Sequence, residues 1–252
     1  MQIASSRPAQ PGTATPTPLP PWLMPVRRYG EYVLGAAAAL SILATIWAAF
    51  VYAPTDALQG NVQRIEYFHV PMAWVAYLAF FVVFVASILY LWRKNARWDV
   101  LARASAEVGT VFTTLVLITG SLWGRTVWGT WWQWDARMTT TLILWFIYVG
   151  YLLLRSYTGL SEGGARAAAV LGIIGFIDVP INYLSVTWWR TLHPSYQVPL
   201  GSEAQAPASV VLALMLGLLA FTLLYAFLTV QVYRLNKIQR AAQVLRVRAE
   251  ME

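Results

Sequence analysis

Six stretches of this chain, 33–53, 70–92, 107–123, 138–154, 166–187 and 209–233, are apolar for close to the length that crosses a bilayer. A hydrocarbon core of ~30 Å takes ~20 residues of helix. At that depth no water satisfies a bare amide or carbonyl, so each stretch must close its own hydrogen bonds and is expected to be helical. A membrane β-barrel would instead alternate apolar and polar residues in ~10-residue strands, and the chain has no such alternation. The expected fold is an all-α integral membrane protein with six transmembrane helices. With 58% of residues apolar and 12% charged, almost nothing is left over for a soluble domain.

Residues 1–30 are rich in Pro, Thr, Ser, Ala and Gln and are expected to form a disordered tail, because that composition cannot bury enough surface to fold. The six-helix domain then occupies 31–233 and a basic tail 234–252. Arg27-Arg28 ahead of an apolar run resembles a twin-arginine export signal. The run is too long for a signal-peptide core, however, and reads as a retained first span. Six crossings put both termini on one side. Fourteen Lys and Arg residues flank that side, against Arg64, Arg125, Arg137 and Arg190 on the other. Cytoplasmic segments carry such an excess, so both termini are expected in the cytoplasm and the loop between helices 3 and 4 faces outward. The same rule accounts for the net charge of +7 without nucleic acid as a partner. The absence of cysteine excludes disulfides, thiolate metal sites, cysteine nucleophiles and Cys-ligated iron–sulfur clusters.

The outward loop is the least ordinary stretch. From Trp123 to Trp134 five tryptophans fall within twelve residues, with Arg125, Asp135 and Arg137 among or beside them. The segment is too polar to cross a bilayer and too aromatic for a solvated loop. It suits a shelf at the membrane surface for something flat, apolar and negatively charged at one edge. His69 and His193 are the only histidines, and both fall at outer helix ends. Pro71, just beyond His69, suits the opening turn of the second helix. A single interfacial histidine is ordinarily hydrogen-bonded at a helix end. Two converging on one aromatic shelf point to a shared ligand site.

Arg64 precedes His69 by five residues and Arg190 precedes His193 by three, while Arg125 and Arg137 flank the tryptophans. Each could reach a lipid phosphate. Together they look like counter-ions for an acidic edge, because guanidinium pairs bidentately with carboxylate. Asp135 is placed to cap the fourth helix, with a further role through ordering of the loop. Trp188 and Trp189 fit an interfacial belt. Asp178 lies inside the fifth span, two residues before Pro180. A carboxylate there is costly, and both a functional role and a hydrogen bond near the Pro-disrupted backbone stay open.

Nothing resembles a P-loop, a Ser–His–Asp set or a metalloprotease helix. Two histidines fall short of the three or four protein ligands usual for zinc, which would also leave the tryptophans unexplained. A porphyrin meets the whole set of demands. Its iron takes axial imidazoles from two sides, its ring stacks on aromatic faces, and its two propionates need cations. The pattern therefore points to haem b held noncovalently at the outer membrane surface.

The segment Trp128-Gly129-Thr130-Trp131-Trp132-Gln133-Trp134-Asp135-Ala136-Arg137 resembles the tryptophan-rich "WWD" signature of haem-handling proteins. Arg64-Ile65-Glu66-Tyr67-Phe68-His69-Val70-Pro71 and Trp188-Trp189-Arg190-Thr191-Leu192-His193 resemble the two histidine segments of one branch, the haem exporter protein C (cytochrome c maturation protein C) family. The resemblance spans roughly residues 30–235 and leaves out the Pro-rich tail. Met138 stands where Leu is more usual, and Pro194 follows His193.

This resemblance implies an assembly in the bacterial inner membrane with the ATPase and membrane subunits of an ABC transporter and a small single-span subunit. It implies that haem is held on the periplasmic face and presented to a membrane-anchored haem chaperone. The chaperone bonds covalently to haem through its own histidine, and the ATPase partner drives release. Larger relatives that attach haem to apocytochrome carry further histidines within their spans, so a chain with two belongs to the loading stage, without independent catalytic turnover. His69 and His193 become the axial ligands, and Trp128, Trp131, Trp132 and Trp134 the platform, with Asp135 ordering it. Arg64, Arg125, Arg137 and Arg190 become the propionate contacts, on charge placement more than on resemblance. Two rival readings are a b-type haem electron carrier, which would set its histidines within the spans, and a structural subunit of an ABC-type exporter, which would use the tryptophans as a belt.

Overall fold

The computed structural model describes residues 23–193 and 207–251. Residues 1–22 of the expected tail, and Pro194, lie outside the described residues. α1 (Leu23–Trp47) begins inside the stretch expected as tail and ends in a wide π turn, Ala48–Tyr52. A short loop and a 3-10 turn, Asn61–Ile65, lead into α2 (Glu66–Arg93). Then follow α3 (Ala96–Trp128), α4 (Ala136–Thr158), α5 (Glu162–Phe176), α6 (Asp178–Trp188) and α7 (Ala208–Met251). Among the described residues, six helical segments are long and apolar enough to cross a membrane, α5 and α6 together making the fifth.

The helix ends follow from local chemistry. Lys94 closes α2 in the left-handed region, at φ 49°, with its N–H on the Tyr90 carbonyl. Asn95 caps α3 by accepting from the Arg97 N–H, and Ser161 caps α5 by accepting from Gly164. The fifth span breaks at Ile177 because Pro180 has no N–H to offer the Phe176 carbonyl and its ring crowds that oxygen. Asp178 sits at this break with one carboxylate oxygen buried and unpartnered among the described residues.

Besides α1, two further spans run well beyond their apolar stretches. α3 begins well before residue 107 because its early charges are matched. Asp99, 4% exposed, lies 2.8 Å from Arg155 and 3.2 Å from Arg240, and Arg103 pairs with Glu107. The segment 234–251, expected as a basic tail, continues α7 without interruption.

α2 is the central helix and packs on α3, α5 and α7, while α1 rides on α7. Lipid tails are as apolar as leucine, so these helices gain stability from close packing and interhelical hydrogen bonds more than from excluding water. Gly109 lets α3 approach α2 closely, since a β-carbon there would stand 2.8 Å from that of Ala79. The Ser105 hydroxyl contacts the Ala79 carbonyl and the Tyr225 hydroxyl, each at 2.8 Å. Such interhelical bonds contribute about 0.6 kcal/mol each. Phe80 and Tyr148 stack at 3.7 Å between ring centres, both fully buried. The outward faces carry exposed Leu40, Leu43, Phe146, Ile174 and Leu219, as a lipid-facing surface requires.

The two ends of the bundle differ in chemistry. One gathers the ion pairs of Glu31 with Arg234, Asp99 with Arg155 and Arg240, and Arg103 with Glu107. The start of α1 and the end of the sixth span therefore share an end, as an even number of crossings demands. The opposite end carries both histidines and the tryptophan-rich loop.

Candidate functional site

His69 is the fourth residue of α2. Its Nδ1 lies 2.8 Å from the Thr119 hydroxyl on α3, and its ring meets Trp123 edge-on at 5.8 Å. At the Cε1 edge of the ring lies Gly120, where a β-carbon would come 3.0 Å from His69 Cε1 and 3.8 Å from each ring nitrogen. Pro71 falls two residues further along α2 and its ring packs at Gly217 of α7.

His193 follows the end of α6. Its ring meets Trp128 edge-on at 5.1 Å, and its Nδ1 lies 3.3 Å from Asp135 Oδ2. Both histidines thus rest against the last turns of α3, His69 on Thr119 and Trp123 and His193 on Trp128. Trp123 and Trp128 are separated by about 7.5 Å along the helix axis. The ionisable groups that bear on His69 are His193 and Arg137.

Asp135 does two jobs. Its Oδ1 accepts from the Met138 N–H at 2.8 Å and caps α4, as expected from its position. Its Oδ2 accepts from the Thr191 hydroxyl at 2.5 Å, the Leu192 N–H at 3.2 Å and His193. One carboxylate therefore ties the start of α4 to the loop that carries the second imidazole. Burial pushes the Asp135 carboxyl up, but the Thr191, Met138 and His193 contacts outweigh it and hold the group below the usual carboxylate range. Burial is also the largest influence on His193 and, with Arg137, holds it below its ordinary value against the pull of Asp135. Near neutral pH the pair is a neutral imidazole donating to a carboxylate, rather than an ion pair.

The tryptophans divide. Trp128 lies in the last turn of α3 rather than in the loop, half-buried against His193. Gly129, at φ 78°, ends the helix and turns the chain into the loop. Trp131 is 56% exposed and Trp134 76%. Trp132 packs edge-on to Trp134 at 5.5 Å, and its buried Nε1 has no partner among the described residues.

The arginines are less alike than their spacing implies. Arg64 donates to the Ala49 carbonyl and to Asn61, tying the loop before α2 to the π turn that ends α1. Arg125 donates to the Gly129 carbonyl beside the tryptophans. Arg137 reaches the Asn182 and Tyr183 carbonyls of α6 at 3.4 and 3.2 Å. Arg190 is exposed and makes no ion pair among the described residues. A guanidinium has five N–H donors, so the first three keep capacity beyond these bonds.

Sequence reasoning passed over Thr119, Gly120 and Thr191, the residues that hold the two rings and the capping carboxylate. A Thr inside an apolar span carries no periodic signal, and its partner is fifty positions away. Asn182 lies in α6, in the second half of the fifth span. It is buried and donates to Thr140, Thr141 and the Arg137 carbonyl, joining α6 to α4 beneath the loop.

The donor set suits a metal already enclosed in a flat ring. Each imidazole has its Nδ1 engaged by a neighbour and an indole at its edge. Among the described residues no three His, Cys, Asp or Glu side chains are gathered to hold a bare ion.

Comparison with known proteins bears on the same segments. Residues 16–248 match the family model described as heme exporter protein C. The chain is 39% identical to heme exporter protein C of Bradyrhizobium diazoefficiens over 212 residues, covering 84% of this chain and 81% of that one. It is 36% identical to the protein of the same name from Haemophilus influenzae, covering 79% and 80%. A mitochondrial protein of Marchantia polymorpha whose name assigns it to cytochrome c biosynthesis is 38% identical, covering 66% and 70%.

Proposed function

The chain belongs to the heme exporter protein C family, and from that membership we propose that it holds one haem b noncovalently at the periplasmic surface of the inner membrane and presents it to a haem chaperone. His69 and His193 are the axial ligands in this reading. The observation that carries it is the pair of imidazoles resting against the last turns of α3, one from α2 and one from the segment after α6, each with Nδ1 engaged. Metal-ligating histidines usually have their second nitrogen held in this way, which sets ring orientation and tautomer.

The remaining roles follow from position. Trp128 and the loop indoles Trp131, Trp132 and Trp134 support the ring and give the incoming partner an aromatic surface to meet. Asp135 orders that surface and holds His193. Arg125 and Arg137 flank the tryptophans and are the nearer candidates for the propionates, with Arg64 and Arg190 beside the two histidine segments. Bound haem supplies iron that exchanges one imidazole for another, and the protein supplies orientation, a polar anchor for each propionate and partial exclusion of water.

The partners in this reading are the ATPase and membrane subunits of an ABC-type assembly, a small single-span subunit and a membrane-anchored periplasmic haem chaperone. The activity is one step of c-type cytochrome maturation, with turnover energy supplied by the ATPase partner.

The test is a visible spectrum of detergent-purified protein produced with adequate haem. A Soret band in the wild type that is largely lost in His69→Ala and in His193→Ala supports the reading. A colourless wild type, or a band that survives both substitutions, rejects it in favour of a structural subunit.

A further inference from the structure

The two imidazoles are held from behind by unequal partners. We propose that Thr119 is a positioning residue for the haem: it fixes His69 as the tautomer protonated at Nδ1 and makes His69 the more readily displaced of the two axial ligands. This rests on the haem-holding reading given above.

The tautomer follows from counting hydrogens. The Thr119 hydroxyl has one, and it goes to the Leu115 carbonyl of the preceding turn, 2.7 Å away. The 2.8 Å contact with His69 then has one consistent assignment, in which imidazole N–H donates into a lone pair of the hydroxyl. A neutral imidazole with its hydrogen on Nδ1 keeps its lone pair on Nε2, ready for a metal. His193 reaches the same tautomer by another route, because Asp135 Oδ2, 3.3 Å from its Nδ1, can only accept.

The inequality lies in the charge of the acceptor. A carboxylate behind a ligating imidazole raises its basicity and strengthens its bond to the metal. Hydrogen bonds to an ionised acceptor are roughly twice as strong as neutral ones. Thr191 and the Leu192 N–H also bind Asp135 Oδ2, which fixes the oxygen in place without removing its charge. Thr119 offers His69 orientation without charge. An incoming ligand therefore displaces His69 first and leaves the haem on His193.

Carbon monoxide is the probe. On the ferrous haem-loaded full chain in detergent it takes the place of the weaker ligand, and its stretching frequency reports on the imidazole opposite. Asp135→Asn, which keeps a side chain able to cap α4, is expected to shift the C–O stretch. Thr119→Val is expected to leave the stretch unmoved and to speed carbon monoxide binding roughly fivefold, the scale of one lost hydrogen bond. Thr119→Ser restores the wild-type rate. The reverse pattern, a stretch moved by Thr119→Val and unmoved by Asp135→Asn, makes His193 the displaced ligand and overturns the proposal. Equal rates in wild type and Thr119→Val overturn the positioning role, and a wild type that takes up no carbon monoxide overturns displaceability. Should Thr119→Val fail to accumulate, the frequency in Asp135→Asn still decides which ligand leaves. A wild type without a Soret band fails the underlying reading instead, before any gas is added.

Discussion

Gly120 faces the Cε1 edge of the His69 ring so closely that a single added β-carbon would stand 3.0 Å from Cε1. The ring cannot simply move away, because Thr119 holds its Nδ1 and Trp123 borders its edge. Gly120→Ala is expected to weaken haem binding about tenfold, within the ~1–3 kcal/mol that overpacking costs. Gly150→Ala, which meets nothing within 4 Å, is the control and leaves binding unchanged while stabilising α4 slightly. Spectroscopic haem titration of the two variants checks the contrast.

Asp135 separates its capping role from its loop role by substitution. Asn at this position still accepts from the Met138 N–H, so Asp135→Asn is expected to melt close to the wild type. Asp135→Ala loses the cap, about 1 kcal/mol, and also releases Thr191, Leu192 and His193. Its haem retention on gel filtration is expected to fall below that of His193→Ala, because the loop loses its anchor as well as its ligand geometry.

Acid sensitivity should come in two steps. His193 is held below its ordinary 6.5 in the folded protein, so the unfolded chain takes up this proton first. Its contribution is complete above pH 6.5 and is lost as pH falls from there through the folded value. Asp135 is held below its ordinary 3.8, so its contribution is present above pH 3.8 and is lost only as pH falls below that. Thermal melting of the haem-free protein in detergent should therefore decline first below pH 6.5 and again below pH 3.8. His193→Gln makes the upper decline shallower, and Asp135→Asn does the same to the lower.

The opposite end of the bundle is expected to govern stability and not the site. Asp99 and Arg155 are each 4% exposed and 2.8 Å apart, with Arg155 Nε and Nη1 lacking other partners among the described residues. Removing Asp99 leaves a buried guanidinium uncompensated, which costs ~3–5 kcal/mol. Asp99→Ala should therefore melt far lower than the wild type, yet give an unshifted Soret band where folded protein is recovered. Arg103→Ala, which breaks a partly exposed i,i+4 pair, should change melting little.

The length and spacing of the apolar stretches foretold six spans, because a bilayer admits few solutions for a backbone without water. The limits of those spans were less legible. α3 runs well before residue 107 and α7 to Met251, since charged residues can be carried on a helix when partners such as Arg155 and Arg240 arrive from elsewhere. Pro180 foretold the break in the fifth span, for a reason confined to its own ring and missing N–H.

At the end that carries the tryptophan-rich loop, residue type alone singled out His69, His193, the tryptophans and Asp135, because such groups are rare at a membrane surface and carry their chemistry with them. Which nitrogen of each histidine is free, which carboxylate oxygen faces His193, and that Thr119 and Gly120 seat His69 were decided by tertiary structure. Those relationships join residues about fifty or more positions apart, and no local pattern encodes a hydrogen bond between two helices. Chain chemistry determined what that surface is made of, and the packing of α2, α3 and α4 decided how each imidazole is held.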